Sequence, residues 1–161
     1  MANIRPIIKH PDPRLYQTCT LFNFETDMKD AIDMRKTFRE AQGGKALGLS
    51  LPQIGVLKCG FIMHITGIET FVFNPVITHS SREKLMMQEG CLSMPWLNNV
   101  MVERPLGIKG FFRTGVGELA EFELEGMEAR VFQHEFEHLI GVTLYTHKDR
   151  MKQMIVETPF Q

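Results

Sequence analysis

Cysteine is scarce in this chain and odd in number: Cys19, Cys59 and Cys91 are the only three among 161 residues. Three thiols cannot close a disulfide framework, and the count fits a reducing compartment, where two of them serve as small hydrophobes. Charge of one sign is also lacking. The net charge of -1 supplies no basic field to hold nucleic-acid phosphates or an anionic membrane surface. No apolar run approaches the length that spans a bilayer, about 20 residues. The opening Met1-Ala2-Asn3-Ile4-Arg5 has neither a signal-peptide nor a transit-peptide pattern. Repeats, low-complexity tracts and linkers are absent, so a single domain over residues 1–161 in the cytoplasm is expected. The hydrophobic share of 43% and charged share of 23% are ordinary for a globular protein. A chain of this length buries about 70% of its unfolded surface.

Read in order, residues 4–9 are apolar and extended, and Pro11-Asp12-Pro13 forces a turn. Met28, Ala31, Ile32, Phe38 and Ala41 recur at helical spacing and predict a helix over 25–42, ended by Gly43-Gly44. Residues 46–53, small, apolar and punctuated by Gly48 and Pro52, read as a tight crossing from helix to sheet whose conspicuous polar side chain is Gln53. Strands are predicted near 56–65, 70–77 (with a bend at Asn74-Pro75), 84–88, 99–104, 106–113 and 118–124. A last helix carries Met127, Val131, Phe132, Phe136, Leu139 and Ile140 and stops at Gly141. This order predicts an α+β fold, with antiparallel or mixed β-sheets wrapped around the final helix and one N-terminal helix.

That last helix holds the segment Gln133-His134-Glu135-Phe136-Glu137-His138. Histidines at i and i+4 lie on one helical face, so both imidazoles reach one metal ion, and Glu135 stands beside it to handle a proton from water. Such a site needs a third protein ligand. A third histidine six residues after His138 is ruled out, because that position is Leu144. His147, Asp149 and Glu157 lie downstream, and a zinc endopeptidase would use one of them. Cys91, set between strand-like segments after Gly90, offers a thiolate instead.

Three segments together resemble the peptide deformylase family. Ala46 to Gln53 is similar to its Gly-Φ-Gly-Φ-Ala-Ala-x-Gln motif (Φ apolar), Glu89 to Ser93 matches its Glu-Gly-Cys-Leu-Ser motif, and Gln133 to His138 is similar to its Gln-His-Glu-x-Asp-His motif. Pro11 to Leu15, Phe73-Asn74-Pro75 and Val102 to Pro105 extend the likeness over residues 4–150. The resemblance implies hydrolytic removal of the formyl group from the N-terminal formylmethionine of nascent polypeptides, releasing formate. It implies Cys91, His134 and His138 as metal ligands and Glu135 as general acid/base. The Gln53 amide and the Leu92 backbone N–H become donors to an oxyanion. Leu47, Gly48 and Gly90 would pair with substrate backbone, while Ala46 and Val131 border the methionine pocket. The implied cofactor is one divalent ion, Fe²⁺ in the cell, with Zn²⁺, Ni²⁺ or Co²⁺ as substitutes. The implied partner is a formylmethionyl nascent peptide near the ribosome, met by a monomer that binds neither nucleic acid nor membrane. Few residues follow Gly141, as in short organellar and phage-encoded members, which predicts the cytosol of a bacterium or a phage-infected host.

The chain departs from the family pattern at Ala46 (Gly), Ser50 and Leu51 (both Ala) and Glu137 (Asp). No ligand, base or amide is lost. Leu51 adds about three carbons that the surrounding core must accommodate. A deformylase-like protein that binds nascent N-termini without turnover is the alternative that the altered first motif allows. Arg104 is expected to pair with Glu137.

Overall fold

The structure, a computed structural model, describes residues 1–98 and 100–148. Helix α1 spans Met28–Glu40 and helix α2 spans Gly126–Leu139. Seven strands lie between them: β1 (Gly48–Ser50), β2 (Gly60–Ile65), β3 (Ile68–Ser80), β4 (Lys84–Glu89), β5 (Val100–Pro105), β6 (Gly107–Arg113) and β7 (Leu119–Glu125). They form a five-stranded sheet in the order β1-β2-β3-β6-β7 and a separate two-stranded sheet, β4-β5. Every strand pairing is antiparallel. The fold is thus α+β, with antiparallel rather than mixed sheets.

The larger sheet is covered on both faces. In β2 the side chains alternate, as strand geometry requires. Phe61 and Met63 join the cluster with Phe132 of α2, while Ile62 joins Met34 and Phe38 of α1 on the opposite face. Phe61 meets Phe132 edge-on with centroids 5.1 Å apart, and Phe122 lies 4.4 Å from the same ring. Three rings interlocked in this way make Phe132 an anchor for α2, and its truncation to alanine would cost about 3–5 kcal/mol. A smaller cluster of Met94, Val100, Val102 and Leu144 lies under the two-stranded sheet. Helix α2 touches strands of both sheets and so occupies the seam between them.

Several boundaries differ from the sequence reading. The first helix begins at Met28 rather than residue 25, because Asn23 to Asp27 close a turn in which the Asp27 carboxylate accepts from Asn23 N–H. The strand expected from residue 56 starts at Gly60, since residues 51–54 form a 3₁₀ turn and 55–59 lead out of it. The bend at Asn74-Pro75 falls inside β3, where Asn74 takes φ 49° and the register with β6 shifts. Residues 46–53 are not a simple crossing: they contribute β1, an edge strand paired with β2. The bulk of Leu51 is accommodated by Gly60, where a Cβ would stand 2.9 Å from Leu51 Cδ1. The extended N-terminal segment joins no sheet. It is stitched to the site elements by Ile8 N–H to Gln53 O at 2.8 Å and His10 N–H to Ser93 O at 3.0 Å.

Candidate metal centre and catalytic cleft

Helix α2 presents His134 and His138 one turn apart, with ring centroids separated by 5.1 Å. The loop after β4 brings Cys91 to them, and its Sγ lies 3.4 Å from His138 Nε2. One ligand atom from each of Cys91, His134 and His138 falls within 4.8 Å of the others. His147 is not part of this cluster; its Nε2 bonds Glu137 Oε2 at 2.8 Å. Asp149 and Glu157 lie outside the described residues.

The donor set fits a divalent transition metal. A thiolate and two imidazoles suit Zn²⁺ or a neighbouring first-row ion, and three protein ligands leave room for water. The electrostatics agree. Burial opposes charge on His134, but Cys91 and Glu89 raise its pKa well above the ordinary imidazole value. The anionic surroundings that would keep a proton there would equally hold a cation. Burial, with His134 beside it, drops His138 well below that ordinary value, so it stays a neutral donor.

Glu89 organises the centre from behind. His134 Nδ1 donates to Glu89 Oε2 at 2.9 Å, which fixes the tautomer and leaves the Nε2 lone pair available to an ion. Arg104 grips both Glu89 oxygens at 2.6 and 2.9 Å and reaches Glu137 at 2.9 and 3.2 Å. The Arg104–Glu137 pair is as expected. The hub role of Glu89 was missed, since its partners lie 15 to 45 residues away in sequence. Its buried carboxyl is held far below the usual carboxylate range because Arg104 and His134 outweigh burial.

Glu135 is almost fully buried, and its Oε2 has no hydrogen-bond partner among the described residues. Burial pushes its pKa up to about 7, with the Glu89 charge adding to the rise. The carboxylate rests directly on Gly48, where a Cβ would stand 2.7 Å from Glu135 Oε1. Gln53 closes the 3₁₀ turn Leu51–Ile54 in a capping box with Ser50. Ser50 N–H and Oγ–H both donate to Gln53 Oε1, at 3.0 and 2.9 Å, which turns the Gln53 NH₂ toward Cys91 Sγ (3.5 Å) and Ser93 Oγ (3.2 Å). The Ser-x-x-Gln spacing carries that signal in the sequence, though it was not read there.

A cleft of about 370 Å³ opens over these groups. Ala46, Leu47, Gly48, Gly90, Leu92 and Val131 line it with Gln53, Cys91, His134 and Glu135. Met94, Leu97, Met127 and Arg130 also line it, and sequence reasoning placed none of them in the site.

The family model for polypeptide deformylase covers residues 4–154. The chain belongs to this family. A peptide deformylase of Thermotoga neapolitana is 42% identical over 130 residues, covering 80% of this chain and 75% of that protein. The crystal structure of the Thermotoga maritima deformylase superposes with a TM-score of 0.79 at 35% identity, covering 88% of this chain and 95% of that one. A class I type b deformylase of Acinetobacter baumannii, solved with Met-Ala-Ser bound, gives a TM-score of 0.80 at 26% identity over 91% of this chain and 99% of that one. Deformylases are hydrolases that remove the N-formyl group from nascent peptides, and membership supports that activity here. No helix among the described residues is long and apolar enough to cross a membrane.

Proposed function

We propose that this chain hydrolyses the formamide bond of N-formylmethionyl peptides at a centre where Cys91, His134 and His138 hold one divalent metal ion, Fe²⁺ in the cell, with Zn²⁺, Ni²⁺ or Co²⁺ as substitutes. The observation that carries this reading is the convergence of one sulfur and two imidazoles within 4.8 Å, beside the buried Glu135 and in the same cleft as Gln53. When bound, the ion supplies Lewis acidity and lowers the pKa of water in the cleft. The Cys91 thiolate cuts the net charge of the centre to +1, which weakens that acidification and leaves more of the proton transfer to Glu135.

Glu135 takes the proton as water attacks the formyl carbon and gives it to the departing amine as the C–N bond breaks. Its dry surroundings favour holding that proton between the two events. The products are formate and a free amino terminus. The Gln53 NH₂, aimed by Ser50, and the Leu92 N–H donate to the oxygen that gains charge. Losing one such donor costs about 10²–10³ in rate. The substrate enters as an added strand between β1 and the end of β4, its main chain pairing with Leu47, Gly48 and Gly90. Ala46 and Val131 border the methionine side chain. The tripeptide Met-Ala-Ser seen in the Acinetobacter baumannii deformylase supports a product of this kind.

Formate release from formyl-Met-Ala-Ser tests the proposal. Protein purified without oxygen and loaded with Fe²⁺ should release formate, and Glu135→Ala should keep its metal and lose turnover. Turnover within tenfold of wild type in Glu135→Ala would overturn the assignment of the base. Absence of release by wild type carrying one metal per chain would make it a binding protein.

A further inference from the structure

The thiolate and the imidazoles belong to different pieces of the fold. Cys91 follows β4 of the two-stranded sheet, and the histidines sit on α2. The β4-β5 pair shares no strand with the main sheet and joins it where β5 runs on into β6, so away from that junction its spacing from α2 is set by contacts with the helix. Among these, Arg130 makes the largest number of bonds across the gap. Its Nη1 donates to Glu89 Oε1 at 2.6 Å and to Val102 O at 3.0 Å, and its Nη2 donates to Leu85 O at 2.5 Å. One side chain on α2 thus holds both strands of the small sheet and the carboxylate that orients His134. Arg130 lies four residues before His134, on the same helical face.

Glu89 shows why the bond matters. Oε1 accepts from Arg104 Nε and Arg130 Nη1, and Oε2 accepts from Arg104 Nη2 and His134 Nδ1. A carboxylate has about four acceptor sites, and all are in use. Arg104 is divided between Glu89 and Glu137, so one buried and one half-buried carboxylate face two guanidinium groups. Deleting Arg130 leaves two carboxylates sharing one guanidinium, frees a lone pair on Oε1 in a dry site and removes the lock on carboxylate rotation.

We propose that Arg130 is a positioning residue for the metal centre: it sets the separation between the Cys91 thiolate and the α2 imidazoles and fixes Glu89 against His134. This rests on the metal-dependent reading above. The arginine is outside the Cys91, His134 and His138 cluster and acts through Glu89 and the small sheet.

The test compares wild type, Arg130→Met and Arg130→Lys. Metal-free protein is titrated with Co²⁺, following the thiolate-to-cobalt absorption band, and melting temperature, kcat and KM for formyl-Met-Ala-Ser are measured alongside. The expected result is a Co²⁺ affinity weakened about 10–100-fold in Arg130→Met, lower kcat, and KM within threefold. Arg130→Lys should recover part of the affinity, since an ammonium keeps the charge beside Glu89 but lacks the second nitrogen that serves Leu85 O. A melting temperature that falls while Co²⁺ affinity and kcat stay within twofold would overturn the proposal and leave Arg130 a structural clamp. Should Arg130→Met fail to fold, Arg130→Lys decides by the same affinity criterion. A wild type that shows no thiolate band would instead sink the metal assignment itself, so the two failures are distinguishable.

Discussion

Gly48→Ala is the smallest change that tests the geometry of the proposed base. A methyl group there would lie 2.7 Å from Glu135 Oε1, 2.9 Å from Cγ and 3.0 Å from Cδ, where ordinary contact begins near 3.4 Å. Something must move by about 0.7 Å. The backbone of Gly48 cannot readily retreat, because β1 is paired with β2 opposite Met63. Glu135 must yield, and it is buried on a helix anchored by Phe132. A catalytic group displaced by about 1 Å loses on the order of 10² in rate, and over-packing a buried contact costs about 1–3 kcal/mol. Gly48→Ala should therefore lower kcat for formyl-Met-Ala-Ser about a hundredfold while metal content stays at the wild-type level. The melting temperature should fall as well, and a cycle with Glu135→Ala locates the cause. With the carboxylate gone, the added methyl group has space, so the stability cost of Gly48→Ala should largely vanish in that background. A kcat within threefold of wild type, or an equal stability cost in both backgrounds, would refute the reasoning.

Three further outcomes are expected. Burial pushes the Cys19 thiol up to about 12 and raises Cys59 as well. Iodoacetamide at pH 8 should therefore label Cys91 first in metal-free protein, and bound Zn²⁺ should suppress that label; mass spectrometry of peptides reads both. Trp96 is the only tryptophan, and its indole N–H donates to Tyr145 Oη at 2.9 Å. Tyr145→Phe should free the ring, shift its emission to the red and increase quenching by acrylamide. Asp33 is buried, which opposes ionisation, yet the Asn3 N–H and the Lys29 and Arg5 cations hold its pKa below 3.8. Its contribution to stability is present above that value and is lost as pH falls through the lower folded-state pKa. Asp33→Asn should flatten the acid limb of a denaturation-midpoint profile below about pH 4, and an unchanged limb would assign that dependence to other carboxylates.

The sequence reading succeeded where periodicity or spacing is local. The apolar spacing from Met127 to Ile140 placed α2, and strand-like runs between turn signals placed six of the seven strands. β1 escaped because it is three residues long, all buried between α1 and Glu135, and sits among Gly48 and Pro52, which read as a crossing. Spacing alone could not choose among Cys91, His147 and the downstream acids. The approach of Cys91 to His138 spans 47 positions and exists only once the small sheet docks on α2. The network around Glu89 is hidden for the same reason. Glu89, Arg104 and Arg130 come from β4, β5 and α2, and each alone reads as a surface charge.

The N-terminal segment gives the molecule an unusual dependence. Ile8 and His10 hold the Gln53 turn and the Ser93 loop at a fixed separation, and neither bond involves a sheet. Ile8 and His10 therefore reach their final place only after residue 93 has been made. Met1 is fully exposed, so an extension ahead of it leaves this brace untouched. The segment from Ile8 to His10, outside both sheets, thus acts as the spacer between the turn that carries Gln53 and the loop that carries Cys91.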